Sequence, residues 1–192
     1  MRYSVSLIAF LLCFSVVKSQ DTAKYNCPDV GKGKTPAEQK LNMLKNRDIT
    51  PGTIDNSVTL TSILTAGNDT GRFNSSQYVS ITGWVLEYED GGAESCNCFT
   101  HLEKYQDTRI FIGHSTASFK DSVFMVVVTP KYSIPHPFDV DSYIGHKVTI
   151  TGYLMFDTEK KTHVLNTCKN CHAAEYKTAW EIRPVTSITI VK

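Results

Sequence analysis

From residue 77 onward, hydrophobic and polar positions alternate with a period of two, which is the side-chain spacing of a half-buried β-strand. In residues 78–88, for instance, Val79, Ile81 and Val85 fall on one face. Residues 122–130 are apolar on both faces, as in a central strand. The pattern predicts five strands, namely YVSITGWVLEY (78–88), TRIFIGH (108–114), SVFMVVVTP (122–130), KVTITGYLMFD (147–157) and TAWEIRPVTSITIV (178–191).

Two of these strands carry a glycine near the middle, Gly83 and Gly152. A mid-strand glycine marks a bulge or a tight bend, which a barrel needs where a strand turns from one sheet into the next. Pro184 lacks a backbone N–H and predicts an edge or a bulge in the last strand. Between the third and fourth strands, residues 136–147 have room for only one short helical turn.

This order of three strands, a short connection and two further strands resembles the OB-fold, a five-stranded Greek-key barrel. The resemblance covers residues 77–192 and rests on strand order, strand length and the two mid-strand glycines. It implies an all-β, OB-fold-like domain that binds its ligand on the face of the second and third strands. The loops that flank this face would be residues 89–106 and 158–177.

Four side chains on the outer side of the predicted strands are candidate ligand-binding residues, namely Trp84, Arg109, Phe111 and Tyr153. Aromatic rings beside an arginine can stack on sugars or bases. The alternative is that a predicted helix within residues 35–47 covers them.

Residues 20–76 differ from the barrel segment because they are polar and interrupted by turn residues. Within KTPAEQKLNMLKNR, Thr35 is the predicted N-cap, Pro36 takes the first helical position and Glu38 completes a capping box. SVTLTSILTAG (57–67) predicts a second short helix. We therefore expect an N-terminal extension with short helices over residues 20–76, followed by an OB-fold-like barrel over residues 77–192.

Residues 1–19 predict a secretory signal peptide. Arg2 supplies a basic start, residues 7–17 an apolar core, and Val17-Lys18-Ser19 a cleavage pattern. The apolar run is shorter than the roughly 20 residues that a membrane-spanning helix needs. We expect a secreted or periplasmic protein that is cleaved near Ser19 and has no membrane span.

Cleavage there removes Arg2 and Lys18, and this changes the formal net charge from +1 to −1. A net charge so close to zero provides no electrostatic footprint for binding bulk nucleic acid. The partner classes that remain are a saccharide, a peptide or another exported protein, and the sequence leaves the ligand unidentified.

Cysteine residues lie in both loops that are predicted to flank the ligand face. If the barrel brings these loops together, four thiols can form two loop-to-loop disulfides or surround one zinc ion, and an oxidising exterior favours the disulfides. Cys27 is a fifth cysteine in the mature chain, and the sequence assigns it no partner. The candidate disulfide or metal cluster comprises Cys96, Cys98, Cys168, Cys171 and His172.

The second loop also resembles the Cys-x-x-Cys-His motif that attaches haem covalently in c-type cytochromes. In that motif the thiols bond to the porphyrin and the histidine is an axial ligand. Here the motif lies in a polar loop between strands, and no methionine follows Met155 as a downstream axial ligand. We expect no cofactor, with zinc or covalently bound haem at Cys168, Cys171 and His172 as the alternatives.

Signatures of catalysis are weak along the whole sequence. It contains no Gly-rich phosphate loop, no nucleophile elbow and no His-Glu-x-x-His pair. The sequence therefore predicts a non-enzymatic, exported OB-fold-like binding module whose cysteine-bearing loops border the site. A metal-binding or mono-haem protein is the alternative.

Overall fold

The five predicted strands form a closed barrel. The computed structural model describes residues 26–118, 122–136, 138–168 and 176–192. Neighbouring strands in the barrel follow the order β1-β2-β3-β5-β4, and β4 pairs with β1 to close it. This arrangement confirms the β-rich, OB-fold-like prediction. The strands are β1 (Tyr78–Asp90), β2 (Thr108–Gly113), β3 (Val123–Val128), β4 (Lys147–Phe156) and β5 (Trp180–Ile190).

The hydrophobic residues of the period-two pattern form the interior of the barrel. Alternate residues of every strand point inward and are buried, because successive side chains of a strand lie on opposite faces. All six residues of β3 are buried, as expected for a strand covered on both sides. The interior includes Val79, Ile81, Val85, Ile110, Ile112, Phe124, Val126, Ile150, Leu154 and Ile182.

Gly152 allows β4 and β5 to approach each other closely at a bulge. Gly152 pairs with Val185 and Leu154 pairs with Ile182, so the register shifts where Pro184 lies in β5. This confirms the bulge that Pro184 predicted. A Cβ atom at residue 152 would lie 3.1 Å from Val185 Cα and would overlap the carbonyl oxygen of Pro184.

Replacing Gly152 with alanine is expected to lower the free energy of unfolding by about 2–3 kcal/mol, because the added methyl group overpacks this seam. Urea unfolding of the purified protein measures the change. Thr149→Ala, on the same strand and partly exposed, is the matched control and should cost less than about 1 kcal/mol. A Gly152→Ala variant as stable as the wild type would show that the bulge can relax.

In the described ranges, three short α-helices accompany the barrel. The first, α1 (Pro36–Lys45), starts at Thr35, and its capping box with Glu38 is formed as predicted. The second, α2 (Leu60–Leu64), confirms the predicted short helix, and α3 (Pro130–Ser133) follows β3. Within described residues 138–147 there is one 3-10 turn, as predicted, whereas α3 is a helical turn that the pattern did not predict.

The N-terminal segment packs directly on the barrel. Leu60 and Ile63 of α2 belong to the same buried cluster as the barrel interior. Ile54 forms a parallel β-bridge with Tyr78 at the start of β1. The two segments therefore share one hydrophobic core.

The predicted signal peptide lies outside the described residues. In the part of the chain that the structure describes, none of the helices combines the length and the apolar character needed to cross a lipid bilayer.

Candidate functional site

Lys45 at the end of α1 draws together the two loops that flank the ligand face of an OB-fold. Its Nζ atom lies 3.4 Å from a carboxylate oxygen of Glu94, in the β1–β2 loop. The same atom lies 3.5 Å from Asp157 and 2.8 Å from Glu159, in the β4–β5 loop. Lys45 is only 3% exposed, so it forms a buried ionic link between the loops.

Arg183 of β5 forms the centre of this charged cluster. Its guanidinium Nη2 donates hydrogen bonds to Asp107 and to Cys96 Sγ, the latter at 3.2 Å. Its Nη1 atom lies 3.7 Å from Glu94 and 3.8 Å from Glu181. A buried guanidinium must be paired in this way, because an uncompensated charge in the protein interior is costly.

The cluster shifts the pKa values of its members in opposite directions. Burial raises the pKa of Asp107, and it raises the pKa of the Cys96 thiol to about 12. Burial would also raise the pKa of Glu94, but the charges of Arg183, Lys45 and Arg109 outweigh it and hold that pKa at about 2. Glu94 is therefore ionised at physiological pH, and Cys96 stays a neutral thiol.

Glu94, Cys96 and Asp107 each place one potential metal-ligand atom within 4.8 Å of the other two. The guanidinium of Arg183 already contacts all three residues. Because a cation there would meet the charge of Arg183, we assign the trio to binding Arg183, with ion pairs from Glu94 and Asp107 and a hydrogen bond to Cys96.

The outer face of β2 and β3, where an OB-fold binds its ligand, is covered by the protein itself. Phe111 is 3% exposed, and its ring stacks on that of Tyr176, from the β4–β5 loop, at a centroid distance of 5.3 Å. Met125 and Val127 are buried in the same small cluster, and Leu86 packs against it. Phe111 is thus closed off by the β4–β5 loop rather than by the helix within residues 35–47.

The other three candidate ligand residues are engaged by other parts of the protein, although Arg109 shares the outer face of β2 with Phe111. Arg109 forms ion pairs with Glu89 and Glu94. Tyr153 is partly buried beneath the guanidinium of Arg47, 5.1 Å from the ring centroid, and its hydroxyl donates to the Thr50 carbonyl oxygen. Trp84 is half-buried on β1, next to Gly113 of β2 and Lys147 of β4.

The cysteine pairing differs from the predicted loop-to-loop cluster. Cys98 forms a disulfide with Cys27, so it connects the β1–β2 loop to the N-terminal segment. Cys96 is a free, buried thiol. The expectation that Cys96 and Cys98 pair with the second loop is therefore wrong. The N-terminal segment packs beside the first loop and brings Cys27 to a Cα–Cα distance of 5.8 Å from Cys98.

Cys168 is disulfide-bonded. Cys171 and His172 lie outside the described residues. The zinc and haem alternatives for these residues stay predictions.

A cavity of about 450 Å³ opens beside the β1–β2 loop. One part of its wall is apolar and is formed by Tyr105, Pro130, Ile134 and Pro135. The remaining lining residues are Cys27, Asp29, Asn46, Cys96, Asn97, Asp107, Thr129 and Lys131. The cavity therefore touches the charged cluster at Cys96 and Asp107.

Thr129 is a polar residue of this cavity that is buried without a hydrogen bond from its hydroxyl group, among the described residues. It is 4% exposed, and its hydroxyl oxygen has no hydrogen-bond partner among the residues that the structure describes. An unpartnered buried hydroxyl costs roughly 1–3 kcal/mol, and a ligand with a polar group could remove this cost.

The sequence singled out the β1–β2 loop but not this cavity. Tyr105, Thr129 and Ile134 belong to three separate short segments, and no motif links them. One signal in the sequence could have indicated the charged cluster, namely Glu181 and Arg183 on the outer face of a hydrophobic strand. Buried charges need partners, and covering segments supply them.

The fold and the loop geometry define a closed, OB-fold-like barrel stabilised by a disulfide. The sequence matches no protein-family model, and a search of curated proteins finds no significant relative.

Proposed function

We propose that the protein is an exported, non-enzymatic binding module that holds a small, largely apolar ligand in the cavity beside the β1–β2 loop. The observation that carries this proposal is the cavity itself, with a volume of about 450 Å³ and one apolar wall. Small-molecule sites of proteins are concave, mostly apolar and roughly 300–1,000 Å³ in volume, with a few polar groups that orient the ligand.

The position of the cavity supports the proposal. OB-folds bind ligands next to the loop that joins the first two strands, and this loop supplies Tyr105 and Asp107. The outer face of β2 and β3 is already covered, so the cavity is the more accessible place for a ligand on this side of the barrel. The ligand would place its apolar part against Ile134 and a hydrogen-bonding end near Thr129.

The chemistry of the cavity favours binding over catalysis. Cys96 is a protonated thiol because burial raises its pKa to about 12, and nucleophilic attack requires a thiolate. Asp107 is held by Arg183 in an ion pair, which ties up the carboxylate that a general base would need. In this proposal Cys96 and Asp107 form part of the cavity wall and take no part in a reaction.

Export is supported by two independent features. The leader pattern of residues 1–19 is typical of secretory signals. The disulfide between Cys27 and Cys98 is typical of proteins that fold in an oxidising compartment.

Substituting Ile134 with tryptophan is expected to block the cavity and abolish ligand binding there. Ile134 is 58% exposed, so the larger ring can be accommodated at the cavity wall without unfolding the barrel. The measurement is an amide NMR screen with fragments that each carry one aromatic ring and one hydrogen-bonding group. In the wild type, hits should shift the amide signals of Asn97, Tyr105 and Thr129.

The matched control is Ile144→Trp, at an exposed isoleucine outside the cavity. Binding should persist in this control and disappear in Ile134→Trp. The proposal fails if the fragments shift signals scattered over the surface, or if they bind both variants equally well.

A further inference from the structure

A second, larger groove lies between α1 and the turn before β1, and its described lining residues differ from those of the cavity. Its volume is about 1150 Å³. The α1 side contributes Leu41 and Leu44, and the opposite side contributes Phe73 and Phe156. The groove therefore has an apolar base that runs along one helix.

The charges around this groove are unbalanced. Its described lining residues include the cations Lys40, Arg47 and Arg72, and no acidic residue is among them. Arg72 is neutralised by Asp69, whose carboxylate lies 3.4 Å away. Lys161 adds a further positive charge, because its Nζ atom lies 5.3 Å from the centroid of the Phe156 ring. The groove is positive in a chain whose overall formal charge is +1.

Arg47 is held rigidly within the groove. Its Nε, Nη1 and Nη2 atoms donate to the carbonyl oxygens of Leu44, Ser75 and Leu154 at 3.0, 2.6 and 3.1 Å. Within the described ranges, no carboxylate pairs with this guanidinium. Burial lowers the pKa of Arg47, which reflects the loss of solvation without a compensating anion.

The aromatic rings of the groove are already engaged from within. Phe73 and Phe156 both pack against Trp180, with ring centroids 5.4 and 5.1 Å from its own. Lys161 lies over the Phe156 ring. Proteins that bind single-stranded nucleic acid stack bases on free aromatic faces, and these rings offer little such surface. The groove is better suited to aliphatic side chains.

We propose that this groove is a docking site for an acidic, partly apolar peptide segment of a partner protein. Carboxylates of the peptide lie beside Arg47 and between Lys40 and Lys161, and its aliphatic side chains pack on Ala37 and Leu44. Such a peptide complements the groove in both charge and hydrophobicity. Apolar contact supplies affinity, while opposite charges steer the encounter and fix the orientation. The site is separate from the cavity beside the β1–β2 loop, and neither proposal depends on the other.

The test is fluorescence anisotropy with a labelled octapeptide of glutamate and leucine. The double variant Lys40→Glu, Lys161→Glu reverses the charges of exposed Lys40 and of partly exposed Lys161, and it leaves Arg47 in place. It should bind the peptide at least about tenfold more weakly than the wild type, which corresponds to about 1.4 kcal/mol. Binding to the wild type should also weaken as salt is raised, because exposed charges are screened.

The matched control is Lys147→Glu, Lys192→Glu, which makes the same change in net charge away from the groove. It should bind the acidic peptide within about twofold of the wild type, because screening limits the reach of distant surface charges. Circular dichroism checks that both variants are folded. Two further labelled probes are compared with the acidic peptide: an octapeptide of lysine and leucine, and an oligothymidylate of the same length.

The proposal is overturned if the acidic peptide does not bind, or if the two double variants bind it equally. It is also overturned if the lysine peptide binds as well as the glutamate peptide, since apolar contact alone would then explain the affinity. Tighter binding of the oligothymidylate than of the acidic peptide would identify a nucleic-acid site instead.

Discussion

Replacing Arg183 with methionine should destabilise the protein by about 3–5 kcal/mol, which is the cost of removing one partner from a buried ionic group. Arg183 is 2% exposed and pairs with Asp107, whose carboxylate is also buried. Without the guanidinium, Asp107 would remain in the interior beside Glu94 and Glu181, and among the described residues no other cation forms an ion pair with it. Urea unfolding at neutral pH measures the loss.

Two companion variants make this test specific. Arg109→Met removes an arginine that also pairs with Glu94 but is partly exposed, and it should cost at most about 1 kcal/mol. Adding Asp107→Asn to Arg183→Met removes the stranded charge and should restore at least about 1 kcal/mol of stability, because a buried pair is coupled. If Arg183→Met cost no more than Arg109→Met, the cluster would have to be open to water.

Removing the disulfide by the double substitution Cys27→Ser, Cys98→Ser should cost about 4 kcal/mol, because the bond closes a long loop and restricts the unfolded chain. The two cysteines are 71 residues apart in sequence. Both must be replaced together, since a single substitution would leave a new thiol near Cys96. Urea unfolding without reductant measures the change.

Peptide mapping of the wild type provides the control for this pairing. Alkylation of the folded protein should leave Cys96 unmodified, because its thiol is buried and has a pKa of about 12. Cys96 should react once the protein is unfolded. Equal stability of the double variant and the wild type would contradict the prediction, as would a map that connects Cys98 to the second loop.

The strands and the first helix could be predicted because their signals are local. Alternation over residues 78–88 places inward side chains on one face whatever the rest of the chain does. Thr35, Pro36 and Glu38 likewise define a helix start through contacts within one turn. Pro184 marks its bulge because it has no N–H to donate.

The candidate site was harder to predict because it depends on which segments cover the barrel. Phe111 has the parity of an outward-facing residue, and only the position of Tyr176 makes it buried. Arg183 has the same outward parity, yet it is enclosed by the β1–β2 loop. Alternation assigns a side chain to a face, but it does not say whether another segment lies on that face.

Predicting the disulfide required knowing how the N-terminal segment packs on the barrel. Cysteine spacing does not determine connectivity, and four cysteines already allow three arrangements. The pairing of Cys27 follows from the packing of the N-terminal segment beside the β1–β2 loop, where Asn46 donates a hydrogen bond to the Cys96 carbonyl oxygen.

The covalent loop closed by Cys27 and Cys98 contains α1, α2 and the whole of β1. Exposed turns such as residues 65–68 are where proteases cut most readily. A single cut at that turn would leave two fragments that remain bonded to each other, so α1 and α2 in the first fragment would stay at a high effective concentration beside the barrel strands, which all lie in the second. The disulfide can in this way hold the two helices on the barrel after the chain between them and β1 has been cut once.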